Sequence, residues 1–153
     1  MRAAIHLLAV LLLCLAASAQ DAAKLMERQI LEEVNRERRS RGLKKLEWDD
    51  RVAAAARNHS RNMAARNFFS HEDPVAGDMR QRLRAAGVGW TACAENLYED
   101  SRVPSARSVV RAWMNSAGHR RNLLNARYTH TGVGVWVDGR TLVTQLFVTR
   151  PPR

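Results

Sequence analysis

Residues 131–149 read TGVGVWVDGRTLVTQLFVT. Two runs rich in β-branched and aromatic residues, Thr131–Val137 and Thr141–Thr149, flank Asp138-Gly139, a dipeptide suited to the positive-φ turn of an antiparallel hairpin. Gly132 and Gly134 leave room on the first run for another backbone or side chain to come close. Pro151 and Pro152 end the extended pattern. A third run, Trp90–Tyr98 (WTACAENLY), has strand-like ends but carries Glu95 and Asn96 at its middle. The rest of the chain is helical in period, so a small antiparallel sheet with helices on both faces is expected. The fold class is α+β.

Outward from the sheet, residues 21–41 form a first helix with Leu25, Ile30, Leu31 and Val34 as its core stripe. Glu32, Glu33, Arg36, Glu37 and Arg38 are expected on its wet face, and Gly42 ends it. Leu43–Trp48 reads as an extended connector. Asp49 or Asp50 then caps a second helix running to about Asn67, with Val52, Ala53, Ala56, Ser60, Met63 and Ala64 along one side. Those small residues call for close packing. Met79–Ala86 is a short arginine-rich helix stopped by Gly87, and Pro104 heads another whose Val109, Val110, Trp113 and Met114 share a face. Gly118 is expected to break that helix before the polar cluster His119-Arg120-Arg121-Asn122.

The amino terminus has the form of an export signal. Arg2 precedes an apolar run, Ile5–Ala16, and Ala17-Ser18-Ala19 has the small-x-small pattern of a cleavage site. The run is short for a membrane span, and no other stretch approaches one. Cys14 lacks the small preceding residues of a lipidated cysteine. Cleavage would leave Cys93 as a lone thiol, expected to be buried and inert, in a secreted or periplasmic chain stabilised by its core.

Lys and Arg total 25 against 15 Asp and Glu, a balance that favours anionic partners such as lipid headgroups or cell-wall polymers. No aromatic-interleaved basic strand or nucleic-acid motif accompanies the arginines, so no specific nucleic-acid partner is expected. Nothing in the sequence specifies an oligomeric state.

The histidines divide by context. His59 lies at the apolar edge of the second helix and reads as structural, as does His130 at a strand entry close to the same region as the others. His71 follows Phe68-Phe69 in FFSHEDPVAGD, where Pro74 and Gly77 break periodicity, and is presented from an ordered loop. Glu95 points either to solvent or into a polar cleft with cationic or metal partners, because burying it alone would cost roughly 2 kcal/mol or more.

The series FFSH, CAENL, AWMNSAGHRRNLL, YTHTGVGV and VTQLF resembles the bacterial branch of the CAP superfamily, the cysteine-rich secretory, antigen 5 and pathogenesis-related 1 proteins that share the SCP domain. The resemblance covers residues 27–149, leaving 1–19 as signal peptide, 20–26 as a lead-in and 150–153 as a tail. It implies an α-β-α sandwich, a three-stranded antiparallel sheet between helical layers, and a central cleft with two histidines and two acidic residues. His71, Glu95 and His119 match the first histidine, the first glutamate and the histidine of the family's GH motif. The second acid is absent: Asn115-Ser116 stands where it belongs.

Two imidazoles, a carboxylate and a water make an open Zn²⁺ site of the kind that acidifies water. Glu95 can alternatively bond one imidazole and fix its tautomer. Asn96, Asn115 and Ser116 are expected along the cleft, with Ser116 filling the acid's position. The expected function is a binding module that takes a divalent metal and a ligand, lipid and cell-wall polymer being the candidates, with no catalytic residue assigned. The alternatives are a zinc-dependent hydrolase of peptide or cell-wall bonds and an arginine-driven binder of anionic surfaces.

Overall fold

The computed structural model describes residues 2–150, with side chains described from residue 19 onward. The expected signal segment therefore lies outside the described side chains except for Ala19. The elements run α1 (Arg2–Arg39), β1 (Glu47–Trp48), α2 (Asp50–Ala65), α3 (Met79–Ala85), β2 (Ala92–Asp100), α4 (Ala106–Asn115), α5 (Ala117–Leu123), β3 (His130–Asp138) and β4 (Arg140–Thr149). Among the described residues no helix is long and apolar enough to cross a membrane.

The sheet has four strands in the order β1-β3-β4-β2, and β1 runs parallel to β3, which corrects the expected three-stranded antiparallel sheet. The end of the connector 43–48 becomes the two-residue strand β1, and Asn35 of α1 holds the segment before it: its amide donates to Leu46 O at 3.0 Å and its carbonyl accepts from Leu46 N at 2.7 Å. Glu47 N and Asp49 N then reach Thr129 O and Thr131 O on the rim of β3, each at 2.9 Å. The β3–β4 hairpin forms as expected, with Gly139 at φ 65° in its turn.

Helices cover both faces. Met26, Ile30 and Val34 of α1 join Val109, Val110 and Trp113 of α4 against Val133, Val135, Val143 and Phe147. Across the sheet, Val52, Ala55 and Ala56 of α2 and Leu83 of α3 pack on Leu146 and Val148. Two residues of α1 depart from the pattern. Leu25 is 60% exposed, whereas Arg38, expected in solvent, is wholly buried. Its guanidinium donates to Lys44 O, Leu123 O and Asn125 O at 2.7–3.1 Å, so it joins the end of α1 to the connector and to the end of α5.

Asp49 is the cap of α2, its Oδ1 accepting from Arg51 N at 2.9 Å and Val52 N at 3.1 Å. The helix lies very close to β3. A Cβ on Gly132 would stand 2.1 Å from Ala53 N, and one on Gly134 2.1 Å from Arg57 N. Only glycine permits that approach. Ser60 uses it, donating to Gly134 O at 3.0 Å.

The segment after α2 is held rigid by Asp73, whose side chain is fully buried. Its Oδ1 accepts from Val75 N and Ala76 N, both at 2.9 Å, and Oδ2 accepts from Asn62 Nδ2 at 2.8 Å. Burial works to raise the Asp73 pKa, but the Ala76 and Val75 amides, Asn62 and His59 outweigh it and bring it to about 2.

Two outcomes follow. Gly134→Ala should push α2 off the sheet and lower stability by about 1–3 kcal/mol, read as a fall in Tm; an unaltered Tm would mean that the seat of α2 does not depend on the missing side chain. The Asp73 carboxylate, depressed from an ordinary value near 3.8, contributes stability that is complete above about pH 4 and lost as pH falls toward 2. Asp73→Asn should therefore cost roughly 2 kcal/mol at neutral pH and almost nothing near pH 2 in urea unfolding. Equal loss at both pH values would contradict this.

Candidate functional site

β2 is an edge strand, so both helical layers can reach its rim. Successive strand residues face opposite sides, and Glu95 and Asn96 accordingly serve different layers. Asn96, wholly buried, donates from Nδ2 to His119 O at 3.1 Å and accepts at Oδ1 from Asn122 Nδ2 at 2.8 Å. Asn122 also donates to Glu95 O at 3.2 Å, and Trp113 Nε1 to Leu97 O at 2.9 Å. These donors occupy two backbone carbonyls of the strand and hang α4 and α5 on its edge. His119 is thereby positioned through its own carbonyl, with its side chain half-buried.

Glu95 faces the other layer. Its Oε1 accepts from His71 Nδ1 at 2.8 Å and from Arg82 Nη2 at 3.2 Å, and its Oε2 lies 3.0 Å from the same arginine nitrogen. The Glu95 and Arg82 side chains are 3% and 4% exposed, whereas that of His71 is 63% exposed. Arg82 arrives from α3, whose start is set by reciprocal Asp78–Gln81 capping bonds. Its Nη2 donates as well to His71 O at 2.8 Å. His59, fully buried on α2, donates from Nε2 to Ser70 O at 2.9 Å. Two successive carbonyls, Ser70 and His71, are thus held from below by buried side chains of two helices. Beside the exposed imidazole lies an open hollow of about 320 Å³ lined by His71, Glu72, Asp78, Met79, Arg80 and Glu95.

The imidazoles differ in charge preference. The bond to Glu95 raises the His71 pKa, with burial and Arg82 pulling the other way. Burial lowers that of His119, and the neighbouring charge of His71 lowers it further. His59 is lowered by burial and by Arg82.

His71, Glu95, Asn96 and His119 are thus gathered around one strand edge. Asn115 is the exposed last residue of α4, and Ser116 caps α5, the helix that carries His119, without a side-chain capping bond. The break between these helices falls at Ser116, with extended φ −98° and ψ 121°, and Gly118 sits inside α5, correcting the expected break. His130 lies on β3, separated from β2 by β4, and bonds Thr129 Oγ1 at 2.9 Å, so it is remote from the rim.

Arg82, His59 and Asn122 were not among the expected site residues. Arg82 had a signal: Met79, Arg82, Leu83 and Ala86 recur at helical spacing, placing the arginine in an apolar stripe.

The donor set can be tested against zinc. A resident centre has three or four protein ligands. Among the described residues no group of three or more His, Cys, Asp or Glu side chains is assembled to hold a metal ion. Glu95 is engaged with His71 and Arg82, so this chain offers a cation two imidazoles. That falls short of a resident zinc centre.

Comparison with known proteins matches residues 31–149 to the cysteine-rich secretory protein family, CAP. The chain is 36% identical over 131 residues to the uncharacterized protein YkwD of Bacillus subtilis, covering 86% of this chain and 50% of YkwD. It is 34% identical to an extracellular protein of Bacillus anthracis containing an SCP domain, with a TM-score of 0.78 and 84% of this chain and 41% of that one covered. An outer surface protein of Borrelia burgdorferi shares the fold at a TM-score of 0.77 and 21% identity, over 84% of this chain and 96% of that one. The chain thus spans half or less of the Bacillus relatives. With the family match extending from within α1 to the last residue of β4, the chain belongs to the cysteine-rich secretory protein (CAP) family.

Proposed function

We propose that this chain is an exported CAP-domain binding module whose ligand meets the His71 and His119 imidazoles at the rim of β2. The observation that carries the reading is the exposed His71 ring tethered through Nδ1 to a buried carboxylate. In the neutral ring, Nδ1 donating to Glu95 leaves Nε2 as an acceptor toward solvent. Export agrees with the amino-terminal pattern and with the extracellular and outer-surface descriptions of the B. anthracis and Borrelia proteins. A divalent cation would be held only weakly, by the His71 and His119 imidazoles, and would supply positive charge toward an anionic ligand.

Binding is favoured over hydrolysis on a specific ground. Zinc-dependent hydrolysis needs a group to take the proton of the attacking water. The Glu95 carboxylate is already shared between His71 and Arg82, and the position of the second family acid holds Asn115-Ser116. A Ser116–His119–Glu95 relay is likewise unsupported, because Glu95 bonds His71.

A second ligand reading rests on a groove of about 440 Å³ between α1, α2 and β3, with Ala23, Trp136 and Val137 in its apolar lining and Lys24, Arg57, Arg61 and the paired Glu27 as its charged groups; Ala19, the last residue of the expected signal segment, closes one end. It suits an anionic lipid. Binding by charge alone, through scattered arginines, is the weaker version of that idea and would disappear at high salt.

Calorimetric titration with zinc is the decisive measurement. Weak binding near one equivalent is expected, abolished in both His71→Ala and His119→Ala while the fold is retained; no binding, or unchanged binding in the variants, would remove the paired-imidazole reading. For the groove, radiolabelled anionic lipid should co-elute with the protein at high salt and be lost on Val137→Arg, an exposed position of the lining. No co-elution for any lipid class would dismiss it.

A further inference from the structure

The buried arginine of α3 does something that packing alone does not require. Arg82 brings a charge into the layer between α2, α3 and β2, yet its Nε and Nη1 find no hydrogen-bond partner among the described residues. All of its polar contacts are made by Nη2: His71 O at 2.8 Å, Glu95 Oε1 at 3.2 Å and Glu95 Oε2 at 3.0 Å. A buried ion pair is poor evidence of stabilisation, since an apolar pair of similar volume often serves as well or better. Two unpaired nitrogens make this one worse still. What the arginine does secure is geometric. One nitrogen grips the backbone of His71 and, at the same time, the carboxylate that accepts from the His71 ring.

We propose that Arg82 is the positioning residue of the cleft: by holding His71 O and Glu95 together it locks the His71 imidazole as the Nδ1–H tautomer and presents Nε2 to the ligand. The Coulombic partner keeps Glu95 an acceptor, and an acceptor-only group opposite Nδ1 admits one tautomer of a neutral imidazole. Without Arg82 the carboxylate would be buried with no cation to balance it, and the His71 ring would lose its fixed acceptor. His59 supplies a different restraint. It grips Ser70 O, so it steadies the loop without touching the ring or its carboxylate. The two buried residues should therefore be separable by experiment. The proposal rests on the reading of His71 as a ligand-facing group, although the tautomer itself is independent of any ligand.

Nitrogen-15 NMR of the imidazole rings in the whole chain, recorded at a pH where both are neutral, tests it. Wild-type protein should show His71 as the Nδ1–H tautomer. A predominant Nε2–H tautomer, or a fast-exchanging mixture, would overturn the proposal without need of any variant. Arg82→Met should convert His71 to a mixture, and Arg82→Lys, which keeps one cationic donor, should restore the wild-type tautomer in part. His59→Gln should leave it unchanged. Titration with zinc alone gives the second readout: affinity should fall roughly 10–100-fold in Arg82→Met, the range expected when a group supporting a ligating histidine is lost. If Arg82→Met folds and keeps both the wild-type tautomer and the wild-type affinity, the arginine is a packing residue only. Absence of zinc binding by the wild-type protein would count against the paired-imidazole reading above, while the tautomer would still decide the role of Arg82.

Discussion

The ion pair of Arg82 with Glu95 constrains everything around it. Removing a guanidinium and a carboxylate from water costs several kcal/mol for each ion, and their attraction offsets this only at close range and in fixed geometry. The helix, strand and loop that meet there must therefore be held in register by other means. α3 is started by the Asp78–Gln81 capping bonds, β2 is paired along its length with β4, and the loop is tied through Asp73 and Ser70. The result is an exposed imidazole on a rigid, buried base. Groups on such a base lose little freedom when they bind, which is how a small site gains affinity.

The two sides of the site come from different helical layers. His71 is supported from the α2–α3 side of the sheet, and His119 is carried by α5 on the other side; both are tied to β2, an edge strand that the two layers can reach. The consecutive pair Glu95-Asn96 divides the work, one side chain to each face. The close seat of α2 on β3, which two glycines allow, brings His59 and Asn62 within reach of the loop. Fold and site thus share the same contacts.

Much of this was readable from local pattern. The hairpin around Asp138-Gly139 and the buried side of α2 formed, and the strand expected at 90–98 formed two residues later, at Ala92–Asp100, because periodicity of two or nearly four and turn chemistry are local properties. The errors were non-local or turned on charge. β1 is two residues long and exists because Asn35 and the rim of β3 hold it, contacts that no window around 43–48 contains. Arg38 and Arg82 looked like solvated charges, since composition makes arginine a surface residue; both are buried against carbonyls supplied by distant segments. Gly118 invited a helix break that fell instead at Ser116, two residues earlier.

What the sequence determined by itself was the order of elements, the faces they bury and the family, because these depend on repeated spacing and on motifs that survive in one dimension. The family resemblance, carried by short motifs, singled out His71, Glu95 and His119 as candidates. Their relation to one another was decided only by the tertiary structure. Which oxygen faces which imidazole, and whether a carboxylate is free for a metal or taken by a buried arginine, depends on distances of about 3 Å between segments far apart in the chain. For Glu95 that distance settles its partner: His71 Nδ1 lies at 2.8 Å and Arg82 Nη2 at 3.0 Å.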